Sequence, residues 1–263
     1  MNILVANDDG ILADGIKALV SKLSENYDVY IIAPDRERSA AGHSITLNSP
    51  LRVDEVEPKY GSKRSWAVSG TPGDCVKIGV SAILADSEKP DIVISGINHG
   101  PNLGHDIIYS GTVSCAIEGA MMNIPSIAVS LNSYKPQFED FKFAAKFVDS
   151  LIPKLQDFTF PEKSVLNINI PGIPQEDITG VAVTEMGGRM FTDNYEKRID
   201  PRGNTYYWMA GKLSTEKERN NTDIHAIRQN KISITPLTFN LTRKDVLEDL
   251  NKVLCKDNIC NWL

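Results

Sequence analysis

The chain contains no run of about 18 consecutive apolar residues, which leaves no segment suited to span a membrane as a helix. Its start, MNILVAN, enters a short apolar run without the basic stretch and long apolar core of a secretory signal, so the cytoplasm is the expected setting. Basic residues are in deficit. With 28 Lys and Arg against 34 Asp and Glu, the net charge of -6 excludes the broad cationic face needed to grip duplex nucleic acid. Cysteines are few, and the four histidines, His43, His99, His105 and His225, lack metal-ligand pair spacing. Cys75 and Cys115 fall in helix-like segments and are expected as reduced core thiols; Cys255 and Cys260 lie near the C-terminus without zinc-site spacing. Neither a GKS/GKT phosphate loop nor a GxGxxG dinucleotide fingerprint occurs.

What is present is a regular alternation. Asn2 to Asn7 reads as a strand, Gly15 to Glu25 as a helix with Ile16, Leu19, Val20 and Leu23 on one face, and Tyr27 to Pro34 as a second strand. Asp74 is expected to cap a helix reaching Ala85, ahead of a strand at Asp91 to Ser95. A helix over Thr112 to Met122, a strand over Ser126 to Leu131 and an amphipathic helix over Phe138 to Leu155 continue the pattern. Strands separated by helices predict an α/β fold, a Rossmann-like mostly parallel sheet flanked by helices. Further on, VLNINIP, GVAVTEMG, TYYWMA and KISITPL follow one another with little helix between, which predicts a smaller β-rich C-terminal extension of antiparallel strands and a closing helix over Thr242 to Leu254. One domain over residues 1–263 is expected, with the α/β core ending near residue 180 and the extension occupying 181–263.

The polar loops all follow strands, and in an open parallel sheet such loops gather at the carboxyl edge, where ligands bind. NDDG places Asp8 and Asp9 side by side after an apolar run. Like charges that close call for a positive partner, and a hard divalent cation is one; otherwise one carboxylate caps the next helix and the other is solvated. APDRERSAAGHS offers Arg36, Arg38, Ser39 and His43, residues suited to anions or a magnesium shell. The stretch from Ser95 to Ala120 adds Asn98, Asn102 and Asp106, then Ser110, Gly111 and Thr112 at a helix start, where free N–H groups favour a phosphate. Tyr206, Tyr207 and Trp208 read as core or subunit interface more readily than as a base-stacking platform.

Taken together, NDDG, APDRERSAAGHSITL, SGTPGDCV, SGINHGPNLGHDIIYSGTVSCAIEG, LNINIP, DPRGNTYYW, NTDIHAI and SITPL run in order along nearly the whole chain and resemble the SurE family of metal-dependent 5′/3′-nucleotidases. The resemblance implies one divalent ion, magnesium or manganese, held by Asp8, Asp9, Ser39 and Asn98. It implies hydrolysis of nucleoside 5′- and 3′-monophosphates to nucleoside and inorganic phosphate by a metal-activated water, with short polyphosphate as a side substrate. Asp9, with Asp8, is then the catalytic pair, Asn102, Ser110, Gly111 and Thr112 hold the phosphate, and a homodimer or homotetramer is expected. The chain departs from the family at IRQNK, where a Gly-Tyr pair is common before SITPL, and at Ile224, where Phe is commoner. Two rivals fit less well. A haloacid dehalogenase type phosphatase wants DxD, and a receiver module wants a phosphorylatable aspartate where Asn98 stands.

Overall fold

The computed structural model describes residues 1–155, 158–188, 191–192, 194–213 and 218–256. The first half is built of β1 (Asn2–Ala6), α1 (Asp14–Leu23), β2 (Asp28–Pro34), β3 (Val53–Val56), β4 (Arg64–Val68), α2 (Pro72–Ile78), β5 (Ile92–His99), α3 (Gly111–Met121), β6 (Ser126–Asn132) and α4 (Phe138–Leu151). It continues with β7 (Ser164–Pro171), β8 (Gly180–Val183), β9 (Phe191–Thr192), β10 (Tyr195–Ile199), β11 (Thr205–Met209), β12 (Lys212–Leu213), α5 (Asp223–Arg228), β13 (Lys231–Thr238) and α6 (Leu247–Lys256).

Nine strands form one sheet in the order β3-β4-β2-β1-β5-β6-β7-β13-β8, antiparallel only at β3–β4 and β7–β13. Alternation along β1 explains the two layers that cover it. Ile3 and Val5 face a core shared with α1 and α4, through Ile16, Leu19, Ala144 and Val148, while Leu4 and Ala6 face Cys75, Val76 and Cys115 on α2 and α3. Both cysteines are fully buried free thiols. Because β2 and β5 flank β1 on opposite sides, strand order reverses at β1, and its carboxyl end is the switch point of the sheet.

Three expectations are corrected. Helix α2 is capped by Thr71, not Asp74: the Thr71 side chain accepts from the Asp74 N–H while Asp74 bonds back to the Thr71 N–H, a capping box. The α-helix then ends at Ile78 and gives way to a wider π-type turn over Gly79–Ile83. Residues 180–183 and 231–238, expected in the extension, complete the main sheet: β13 lies antiparallel to β7 and parallel to β8. What remains outside the sheet is an arm with the antiparallel hairpin β10–β11 and the short pair β9–β12. Third, α6, expected as a closing helix, leaves its apolar face exposed. Its Leu247, Leu250, Val253 and Leu254 are exposed. Asn230 takes the left-handed conformation at φ 56° just before β13, so in the stretch where the family often has a glycine this chain uses the side chain that tolerates that region best.

Candidate active site

The NDDG turn is closed by its own asparagine. Asn7 Nδ2 donates to the Gly10 carbonyl (2.9 Å) and the Gly10 N–H donates to Asn7 Oδ1 (3.2 Å), leaving Asp8 and Asp9 between them at the end of β1. Asp8 is buried, and its Oδ1 accepts from Thr112 Oγ1 at 2.5 Å. Its main-chain carbonyl accepts from the Arg38 N–H at 2.7 Å, which ties the loop after β2 to the turn after β1. Helix α3 meets Asp8 end on. A Cβ on Gly111 would lie 2.7 Å from Asp8 Cβ and 2.9 Å from Oδ2, so only glycine admits the contact. The positive end of the α3 dipole thereby faces a carboxylate. Asp9 is held from the other side by the His99 N–H, which donates to its Oδ2 at 3.2 Å.

Burial is the largest influence on both acids. It pushes the Asp8 carboxyl up against the opposing pull of the Thr112 hydrogen bond. For Asp9, burial and then the charge of Asp8 raise the pKa to about 6. Among the described residues, no lysine or arginine pairs with either carboxylate. Arg38 turns its guanidinium to the Ser69 carbonyl (2.8 Å) and towards Asp35. Asp8, buried, and Asp9, half-buried, are therefore left without a lysine or arginine partner among the described residues.

Asp8, Ser39, Asn98, Asn102, Asp106 and Ser110 line a cleft of about 200 Å³ at this edge. Asn98 donates from Nδ2 to the Gly100 carbonyl at 2.8 Å, which orients its amide and leaves the Oδ1 lone pairs available to a cation. Ser39 sits on the exposed loop and donates to Glu37 Oε1 at 2.7 Å, which leaves oxygen lone pairs to offer. Ser110 caps α3 by accepting from the Val113 N–H at 3.0 Å and retains its own O–H as a donor. All six of these cleft-lining residues were singled out from the sequence. Asp9 stands beside His99, and Gly111 and Thr112 lie behind Asp8.

Other residues at the site carry no simple signal in the sequence. Asn102 is held from below by Ser130, Asn167 and Asn169. Asp223, fully buried, accepts from the N–H groups of Gly104 (2.9 Å), Gly187 (2.8 Å) and Ile224 (2.8 Å), and so ties the loop after β5 to the root of the arm. At Gly104, with φ 51°, a side chain would overlap the Gly188 carbonyl oxygen. The histidines do other work: His43 Nε2 lies 2.9 Å from Oε1 of buried Glu118, which Lys77 also approaches at 3.3 Å.

The family described as Survival protein SurE matches residues 3–193. The chain belongs to the SurE family. It is 47% identical to the 5′-nucleotidase SurE of Thermosynechococcus vestitus, over 97% of each chain. It is 48% identical to the 5′-nucleotidase SurE of Pelotomaculum thermopropionicum, over 99% of this chain and 98% of that one. Its fold matches the crystal structure of the SurE protein from Aquifex aeolicus with a TM-score of 0.82 at 38% identity, covering 96% of this chain and 99% of that one.

The donor set in this SurE chain suits a hard cation. Among the described residues, no three histidine, cysteine, aspartate or glutamate side chains come together, so a nitrogen- or sulfur-rich site is not what the cleft offers. Asp8, Ser39 and Asn98 in the cleft, with Asp9 beside it, present oxygens: two carboxylates, an amide and a hydroxyl, as magnesium or manganese prefers.

Proposed function

We propose that the chain is a nucleotidase that hydrolyses nucleoside 5′-monophosphates, and 3′-monophosphates as well, to nucleoside and inorganic phosphate. Short polyphosphate would be a side substrate at the same cleft. The observation that carries this reading is the adjacent pair of a buried and a half-buried carboxylate, with no lysine or arginine partner among the described residues, set against a helix N-terminus beside a cleft lined by oxygen donors. The names of the SurE relatives point the same way.

Asp8, Asp9, Ser39 and Asn98 would hold one magnesium or manganese ion, which when bound supplies a Lewis acid against the phosphoryl oxygens. The chain's own residues do the rest. Ser110 gives an O–H donor, and the N-terminus of α3, opening at Gly111, gives the positive end of its dipole, so a phosphate dianion would be oriented there. Asn102 adds an amide donor: its Nδ2 spends one N–H on Ser130 and keeps the other. Gly111 and Thr112 would border the phosphate at that helix start, with the Thr112 hydroxyl also holding Asp8. Asp9 is the general base. Its Oδ2 is fixed by the His99 N–H, and Oδ1 would take the proton from the attacking water. The leaving nucleoside oxygen departs in line on the far side.

Phosphate release from a panel of 5′- and 3′-nucleoside monophosphates and tripolyphosphate, first in EDTA and then with magnesium or manganese restored, tests the reading. Turnover that returns only with metal supports it; a protein that binds nucleotides and never releases phosphate would make the cleft a sensor. A homodimer or homotetramer belongs to the same proposal, since Tyr206, Tyr207, Trp208 and Met209 on the arm are exposed in the single chain. Sedimentation equilibrium reads that directly.

A further inference from the structure

Strand β7 is a central strand of a sheet covered on both faces, a place where sequences usually read apolar throughout. Here it reads VLNINIP. Leu166, Ile168 and Ile170 enter the core under α1 and α4, while Asn167 and Asn169, both fully buried, point to the other face. Two buried carboxamides in that position weaken the fold relative to apolar residues of the same size unless something is gained from them.

What they hold is the peptide of Asn102. Asn169 Oδ1 accepts from the Asn102 N–H at 2.8 Å, and Asn169 Nδ2 donates to the Asn102 carbonyl at 2.9 Å. One side chain thus pairs with both polar atoms of a single residue's backbone, as a neighbouring strand would. Asn167 Nδ2 donates to the same carbonyl at 2.9 Å and fills its second lone pair. Its own Oδ1 is buried and has no partner among the described residues, so Asn167 serves that one bond at the expense of its other end. Ser130, the cross-strand neighbour of Asn169, takes the Asn102 side chain through Oγ at 2.8 Å. The same row of the sheet runs on to Asn98, opposite Ser130 on β5. Loop residues seldom have both backbone polar groups fixed by a buried strand.

We propose that Asn169 is a positioning residue of the cleft: it fixes the Asn102 backbone so that the Asn102 amide meets the phosphate group of the substrate. The inference rests on the nucleotidase reading above. It touches neither the Asp8–Asp9 pair nor the metal-binding set, so its effect falls on phosphate affinity more than on the chemical step.

The test is a double-substitution cycle with Asn169→Ala and Asn102→Ala, made singly and together. It is read as KM and kcat on a 5′-monophosphate and as competitive inhibition by inorganic phosphate, alongside amide hydrogen exchange of segment 99–110 in the ligand-free protein. Asn169→Ala is expected to raise KM and the inhibition constant about tenfold with kcat changed much less, and to speed exchange of segment 99–110 while β1 stays protected. With Asn102 already alanine, the second substitution adds nothing to KM, whereas melting temperatures still fall together. Additive effects on KM, or an exchange rate and phosphate affinity that stay at wild-type values, overturn the proposal. Asn169→Leu guards against a folding failure, since it refills the volume and withholds only the hydrogen bonds. A wild type that turns over no nucleotide and binds no phosphate overturns the nucleotidase reading, and the positioning role with it; an active wild type with indifferent Asn169 variants overturns the positioning role alone.

Discussion

The edge of the sheet at β1 and β5 and the arm that carries β10 and β11 are built by opposite rules. At the edge, polar groups are buried and bonded over long sequence distances: Asp8 to Thr112, Asn102 to Asn169 and Gly104 to Asp223. On the arm, apolar groups are left outside, with Tyr207 60%, Trp208 58% and Met209 64% exposed. The first arrangement sacrifices stability to aim atoms at a ligand; the second leaves apolar surface that a further protein surface would cover. On the proposed reading, chemistry and assembly fall to separate parts of one chain.

Asp9→Asn should separate them most sharply. Phosphate release is expected to fall by roughly a thousandfold, as for loss of a general base. Stability moves the other way: the metal-free variant should melt about 2–4 °C higher at pH 7. The sign follows from the raised pKa. Folded Asp9 binds its proton more tightly than the unfolded chain does, so wild-type stability falls as pH rises through about 6, and the advantage of the variant shrinks as pH is lowered towards 4. Melting curves in EDTA across that range check it, and a variant that melts lower at pH 7 would break the claim that the edge is under electrostatic load.

Gly111→Ala comes next. The added methyl collides with Asp8, and the expected outcome is a loss of about 1–3 kcal/mol with a drop in turnover of roughly a hundredfold from misplacement of the acid. Calorimetry and kinetics on the same sample read both. Glu118→Gln probes the support behind the loop that carries Ser39. His43 and Lys77 hold the Glu118 carboxyl below the usual carboxylate range, so its stabilising effect is present at neutral pH and lost as pH falls through that range. The variant should melt about 2–4 °C lower at pH 7 and converge with the wild type in acid, with a small loss of turnover. The smallest effect on chemistry is expected from Tyr207→Ser with Trp208→Ser. Sedimentation should show a smaller assembly, while single-chain stability stays within about 0.5 kcal/mol and turnover per chain is retained.

The sequence made much of the edge legible and little of what supports it. Asp8, Asp9 and Ser110 sit where an apolar run stops and a helical pattern begins, and that junction is a local signal. Thr71 was hidden behind Asp74 because a capping box puts acceptors at both ends of TPGD, and the acid is the more conspicuous of the two. Asn167 and Asn169 alternate with apolar residues in the manner of a strand with one wet face, so the pattern reads as an extension strand. Only the pairing of β7 with β6 and β13 reveals that both faces are covered, and which strands pair across such distances is not a property of any local window. For the same reason β8 and β13 read as a separate layer. The exposed face of α6 is amphipathic, and amphipathy announces a burial partner without saying where it is.

The hydrogen bonds that finish the cleft reach across 104 residues from Thr112 to Asp8 and 119 residues from Gly104 to Asp223. During synthesis the acidic pair leaves the ribosome almost at once, yet Asp223 follows only after roughly 10–40 s at ordinary elongation rates. For that interval the nascent chain lacks the carboxylate that anchors the loop after β5. The part of the protein made first waits for most of the chain before its surroundings are complete.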